Sequence, residues 1–133
     1  MKVIVQEIIS GQAFRLGALA GEKSCPVQEF LIMLREQKRA DFAKTMNLLE
    51  RVARQGALRN KEKCRYFRAE KAFEFKPSGT VRIMAFWDDE QVIICSHGFV
   101  KKGAKTPEKE LKRLRDARRL YFEAKSAGSI KWK

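Results

Sequence analysis

The stretch from Phe73 to Val100 constrains this chain most. Phe73 and Phe75 alternate with Glu74 and Lys76, and Pro77-Ser78-Gly79 supplies turn chemistry before the largely apolar run Val81 to Trp87. Asp88-Asp89-Glu90-Gln91 is a second polar turn, after which Val92-Ile93-Ile94-Cys95 starts a run that reaches about Val100. β-Branched and aromatic residues at this density, parted by turns this short, predict a meander of three strands. The rest of the chain must pack against it.

Upstream, Val3 to Ile9 carries β-branched residues at strand density and stops at Ser10-Gly11, whereas Gln12 to Ser24 gives no clear pattern. Pro26 can open a helix in which Val27, Phe30, Leu31 and Leu34 form one apolar stripe, ending at Lys38-Arg39. Phe42, Met46, Leu49, Val52 and Ala53 repeat that period, with Gly56 placed as a C-terminal cap. Residues 57–71 hold eight charges and little periodicity, which predicts a mobile basic connection anchored by Tyr66-Phe67. At the far end Thr106 can cap a helix, with Pro107 at its first position and Glu108 and Glu110 in its first turn. Leu111, Leu114, Ala117 and Tyr121 share one face of it, while Lys109, Lys112, Arg113, Arg115 and Arg119 lie opposite. Ser126 to Lys133 looks like a frayed basic tail. The expected order is β-α-α-β-β-β-α: an α+β fold in which helices cover one face of a small, mainly antiparallel, four-stranded sheet. A chain of 133 residues is expected to make a single domain over 1–133.

Charge narrows the function classes. Lys and Arg number 29 against 16 Asp and Glu, a formal charge of +13. The excess is concentrated at +5 over residues 59–82 and +8 over 101–133, flanking a centre that is slightly acidic. Packing that centre as a sheet brings both basic stretches to its margins, as a groove for a polyanion requires. No apolar run approaches the roughly 20 residues that cross a bilayer. Val3-Ile4-Val5 meets Gln6-Glu7 before a signal-peptide core can form, so a cytoplasmic protein with no membrane partner is expected. Cys25, Cys64 and Cys95 are too far apart for a CxxC metal site, and buried, idle thiols are expected.

The only histidine, His97, has no second ligand at metal-binding spacing, and neither a GxxxxGK[ST] loop nor a GxGxxG turn occurs, so no metal or cofactor is expected. Cys95 and His97, two apart on one strand, should share a face, yet no third group orients them as a nucleophile and base. What remains is cationic: Lys76, Arg82, Lys101 and Lys102 fall on adjacent strands of the meander. Cleavage of RNA by its own 2′-hydroxyl needs a proton acceptor, positive charge on the pentavalent phosphorane and a proton for the leaving 5′-oxygen. These cations can supply the charge; His97 or Tyr121, or a lysine among cationic neighbours, can move the protons. Each also has an ordinary explanation: His97 as a satisfied core residue, Tyr121 as helix packing, Lys101-Lys102 as a solvated strand end.

The run Ser96-His97-Gly98-Phe99-Val100-Lys101-Lys102-Gly103-Ala104-Lys105-Thr106-Pro107-Glu108-Lys109-Glu110 resembles the "HGFxKK…KTPxxE" signature of the HigB-like, phage-derived branch of the RelE/ParE toxin superfamily. Phe73-Glu74-Phe75-Lys76 with Val81-Arg82-Ile83 is similar to that family's hairpin, and Cys25-Pro26-Val27-Gln28-Glu29-Phe30-Leu31 to its helix start. The resemblance implies a RelE-like fold and a type II toxin that cuts messenger RNA on the ribosome, held inactive by a cognate helix-turn-helix antitoxin. It assigns Arg82 to the scissile phosphate and Lys101 and Lys102 to the basic strand end. His97 and Tyr121 stand as catalytic candidates, and Lys76, Lys105 and Arg68 as RNA-binding ones. Lys76 replaces the family's usual Arg, a point charge in place of a bidentate fork. The alternatives are a relative that binds RNA or protein without catalysis, and a ParE-type gyrase inhibitor.

Overall fold

The computed structural model describes residues 2–56, 59–89 and 91–133. The chain runs β1 (Val3–Ser10), β2 (Arg15–Ala20), α1 (Pro26–Gln37), α2 (Arg39–Gln55), β3 (Cys64–Phe67), β4 (Ala72–Phe75), β5 (Val81–Asp89), β6 (Val92–Val100), α3 (Glu108–Ser126) and β7 (Ile130–Trp132). The meander is β4-β5-β6, paired antiparallel as its turns require. The expected turn at 88–91 is shorter than anticipated because β5 continues to Asp89; Glu90 lies outside the described residues. Gly56 caps α2 in the left-handed conformation, φ 69°, and its N–H donates to the Val52 carbonyl.

The sheet has seven strands in the order β3-β4-β5-β6-β2-β1-β7, not four, and it is mixed. β2 runs parallel to β6 and antiparallel to β1, and β7 runs parallel to β1. Three strands escaped the sequence reading. Arg-Leu-Gly-Ala-Leu-Ala has little intrinsic strand preference, so β2 owes its state to its two neighbours. Within the expected connection, 64–67 forms the edge strand β3 against β4; residues 57 and 58 of that connection lie outside the described residues. The expected frayed tail forms β7, where Ile130 and Trp132 flank Lys131 and the Arg15 guanidinium lies 3.8 Å above the Trp132 ring.

Helices cover both faces of the sheet, not the one face expected. Phe73, Phe75, Ile83, Ala85, Ile93 and Cys95 pack toward Val27 of α1 and Leu48, Leu49 and Val52 of α2. Ala72, Met84, Phe86 and Ile94 pack with Leu114, Tyr121 and Ala124 of α3. The apolar run of β5 from Ile83 to Phe86 has this cause: a strand buried on both sides has no polar face to alternate. Gly98 of β6 serves the α1 contact, because a Cβ there would fall 2.3 Å from the Phe30 ring. The Gly of the His-Gly-Phe motif is the seat of the first helix. At the other end of that motif, Thr106 does not cap α3. Pro107 is the N-cap residue, and Thr106 Oγ1 donates instead to Glu74 Oε2 at 2.6 Å.

Candidate nucleic-acid interface

On α2 the polar residues Lys44, Asn47 and Arg51 follow i, i+3, i+7 spacing, and so share the helix face opposite the apolar stripe. The β4–β5 turn, Pro77-Ser78-Gly79, rises toward that face. Between them lies a cleft of about 520 Å³, lined also by Leu48, Glu62, Lys63, Lys76 and Arg82. Lys44, Arg51, Lys63, Lys76 and Arg82 face one carboxylate there, that of Glu62. Lys76 is fixed by its own backbone, whose N–H donates to the Lys63 carbonyl, while its Nζ donates to the Lys61 carbonyl at 3.2 Å.

Arg82 is buried at 7% exposure and is tied to the turn that it follows. Its Nη1 donates to the Ser78 and Val81 carbonyls at 2.8 Å each, and Nη2 to the Gly79 carbonyl at 3.3 Å. Nε points toward Glu74 Oε1 at 3.7 Å, an ion pair too long for a hydrogen bond. Of the five N–H donors of a guanidinium, two are left over among the described residues, the one on Nε that points at Glu74 and one on Nη2. Arg82 therefore shapes the cleft wall and holds a positive charge behind it.

The other sequence candidates separate into two groups. The β5–β6 register sets Phe99 opposite Arg82, and the Lys101 N–H donates to the Thr80 carbonyl at 2.6 Å. Lys76, Arg82, Lys101 and Lys102 thus share one end of the sheet, with exposed Lys105 in the following loop. Lys101, Lys102 and Lys105 are not among the residues lining the cleft.

Tyr121, His97 and Arg68 are not brought to it. Tyr121 is buried against Phe86, and its hydroxyl donates to the Asp88 carboxylate, which Lys125 also engages. Burial first and Asp88 second push its phenol pKa well up, away from proton transfer. Arg68 follows Phe67, which pairs with Ala72, so it stands at the opposite end of the β3–β4 hairpin from Lys76. His97 is 1% exposed, with Nδ1 2.8 Å from Ser96 Oγ and Nε2 3.1 Å from Glu110 Oε1. Glu110 alone would favour imidazolium, but burial and then the Arg113 charge outweigh it and lower the pKa to about 3. The neutral ring then donates from Nε2 to Glu110 and accepts the Ser96 hydroxyl at Nδ1, clamping β6 to α3.

Cys95 and His97 do not share a face. Met84 pairs with His97 and Ala85 with Cys95, leaving Ser96 as an extra residue that shifts the alternation. Cys95 faces α1 and α2, while His97 meets Glu110 of α3. All three thiols are free and buried, and burial pushes Cys64 up to about 11 and Cys95 up to about 12. Among the described residues no cluster of His, Cys, Asp and Glu could hold a metal ion, and no helix is long and apolar enough to cross a membrane.

A family model described as phage derived protein Gp49-like (DUF891) matches residues 29–119. The chain belongs to this Gp49-like family. The Gp49-like match runs from within α1 to within α3, and so contains α2, the β4–β5 turn and every cleft residue. β1, β2 and β7 fall outside it. The Gp49-like family is a RelE-like, toxin-like one, in keeping with the wider resemblance of the sequence. No curated protein matches the chain.

Lys44, Arg51, Glu62 and Lys63 are the charged cleft residues that sequence reasoning missed. Lys44 and Arg51 left a signal as cations seven apart on the polar face of the second helix, but only the tertiary approach of the turn gives them a partner wall.

Proposed function

We propose that this Gp49-like protein is the toxin of a type II toxin–antitoxin pair and cuts messenger RNA on the ribosome, using the RNA's own 2′-hydroxyl and no metal. The observation that supports this reading is the cleft: five cations against one carboxylate, inside the family match. A phosphodiester in it would meet Lys76, with the buried Arg82 charge behind the wall and Lys44, Arg51 and Lys63 holding neighbouring phosphates. Positive charge arranged in advance around a developing phosphorane is the strongest stabilisation such a site can offer. Glu62 is the group in the cleft suited to accept the 2′-hydroxyl proton, and a cleft ammonium, Lys44 or Lys63, would give a proton to the leaving 5′-oxygen, roles that His97 and Tyr121 are too remote to fill. Lys101, Lys102, Lys105 and Arg68 would serve docking on ribosomal RNA, where long-range charge suffices. The HigB-like branch, a cytoplasmic location and a helix-turn-helix antitoxin belong to the same proposal, resting on the His97–Lys102 motif.

Induced expression tests it. The wild-type chain is expected to slow growth and leave new 5′ ends within translated messages, and Arg82→Ala and Lys76→Ala to relieve both. A wild-type chain that neither slows growth nor cuts RNA on ribosomes ends the reading. The burial of His97 and Tyr121 away from the cleft favours a second reading, a relative that binds RNA without cleaving it; salt-sensitive binding with intact message would select it. Inhibition of a topoisomerase with no message cleavage would select a ParE-type activity.

A further inference from the structure

Beyond the cleft, the β3 edge carries aromatic surface that neither core needs. Tyr66 is 51% and Trp87 36% exposed, among the few large apolar side chains left in solvent. Their ring centroids are 6.0 Å apart, and Trp87 rests edge-on against buried Phe73 at 5.1 Å. Strand alternation puts Tyr66 on the same side as Cys64, the side of α2, because Cys64 packs in the α1–α2 core. A second cleft of about 550 Å³, lined by Arg59, Lys61, Cys64, Arg65, Tyr66 and Lys76, takes in the first of these rings. Lys76 lines both clefts and joins them into one path. One end of the path is cationic on both walls. At the other, cations surround a half-exposed ring.

We propose that Tyr66, backed by Trp87, is a stacking platform for an unpaired nucleobase of a single-stranded RNA whose phosphates run through the cationic cleft. This rests on the RNA-cutting reading above and specifies the form of its substrate. Charge selects a polyanion, and the aromatic rings then select one with flat, unstacked bases. A duplex keeps its bases stacked inside and cannot use the platform. An acidic peptide matches the cations, but its carboxylate side chains have no flat face to lay on the ring. The phenol ring leans on Trp87, which is itself seated on buried Phe73.

The test uses the full chain and a short 2′-O-methyl RNA, which cannot be cleaved, in three forms: single strand, single strand with abasic sites, and duplex. Chain with Trp132→Phe leaves Trp87 as the single tryptophan, so its emission reports on the platform. Tyr66→Ala is expected to weaken single-strand binding about tenfold, within the range for loss of one stacked base. It should leave abasic and duplex binding unchanged, and Tyr66→Phe should restore the affinity. Tyr66 is an exposed edge residue, so folding is not at stake. Equal affinity of Tyr66→Ala and wild type for the single strand, or of the based and abasic strands for the wild type, overturns the platform. In either case loss of binding in Lys44→Ala/Arg51→Ala leaves the cleft reading standing. Displacement of the strand by polyglutamate of equal charge at equal affinity also overturns it. A wild type that binds none of the RNAs at low salt overturns platform and cleft together.

Discussion

Arg82 Nε and Glu74 Oε1 face each other at 3.7 Å inside the molecule, and among the described residues neither atom has a hydrogen-bond partner. The pair joins two walls. Glu74 also accepts from Thr106, ahead of α3, and Arg82 holds the β4–β5 turn that forms one side of the cleft. Removing one member strands the other charge. Glu74→Ala should cost about 3–5 kcal/mol of stability, whereas replacing both by apolar residues of similar volume should recover most of it. Urea unfolding of the two single variants and the double one checks this; additive losses would show that the two residues act independently.

His97 gives the fold a pH dependence. Its pKa is about 3 in the folded protein against an ordinary 6.5, so the unfolded chain binds the proton more readily. The stability contributed by the neutral ring is complete above about pH 6.5 and lost as pH falls toward 3, at about 1.4 kcal/mol for each pH unit. Urea midpoints at pH 7, 6 and 5 should show a steeper fall for the wild type than for His97→Gln. Identical slopes would show that the ring titrates normally.

Gly98→Ala should loosen α1. The added methyl would meet the Phe30 ring at 2.3 Å, an overpacking that costs about 1–3 kcal/mol. Trimming the ring with Phe30→Leu in the same chain should return part of the loss, as measured by thermal unfolding. A Gly98→Ala chain as stable as the wild type would show that the helix yields freely.

Salt dependence reads out the cleft. For a single strand the logarithm of affinity falls with that of salt by about 0.7 for each phosphate neutralised. Lys44→Ala/Arg51→Ala should therefore flatten the slope by about 1.4. Tyr66→Ala should lower affinity without changing it. The comparison is a titration at several salt concentrations.

The three helices and the meander are legible because periodicity and turn chemistry are local. β2 is not, since Leu16, Gly17 and Ala18 become a strand only between β1 and β6. β3 is hidden by its charge: an edge strand can carry Arg65 and Tyr66 outward, so nothing in 57–71 alternates cleanly. At the site, Lys76 and Arg82 were readable from the hairpin, but Lys44 and Arg51 needed the fold to bring them opposite. The placing of His97 turned on a single extra residue at Ser96, which no pattern of alternation reveals in advance.

β3 is also an open margin of the sheet, four residues long, with β4 as its one neighbour in the sheet. Arg59, Lys61 and Arg65 along it make the approach of a second copy electrostatically unfavourable, a common guard against edge-to-edge aggregation. A polyanion seated there would neutralise that repulsion. The cations that would attract a nucleic acid are thus the same ones that keep the free protein from polymerising through its own border.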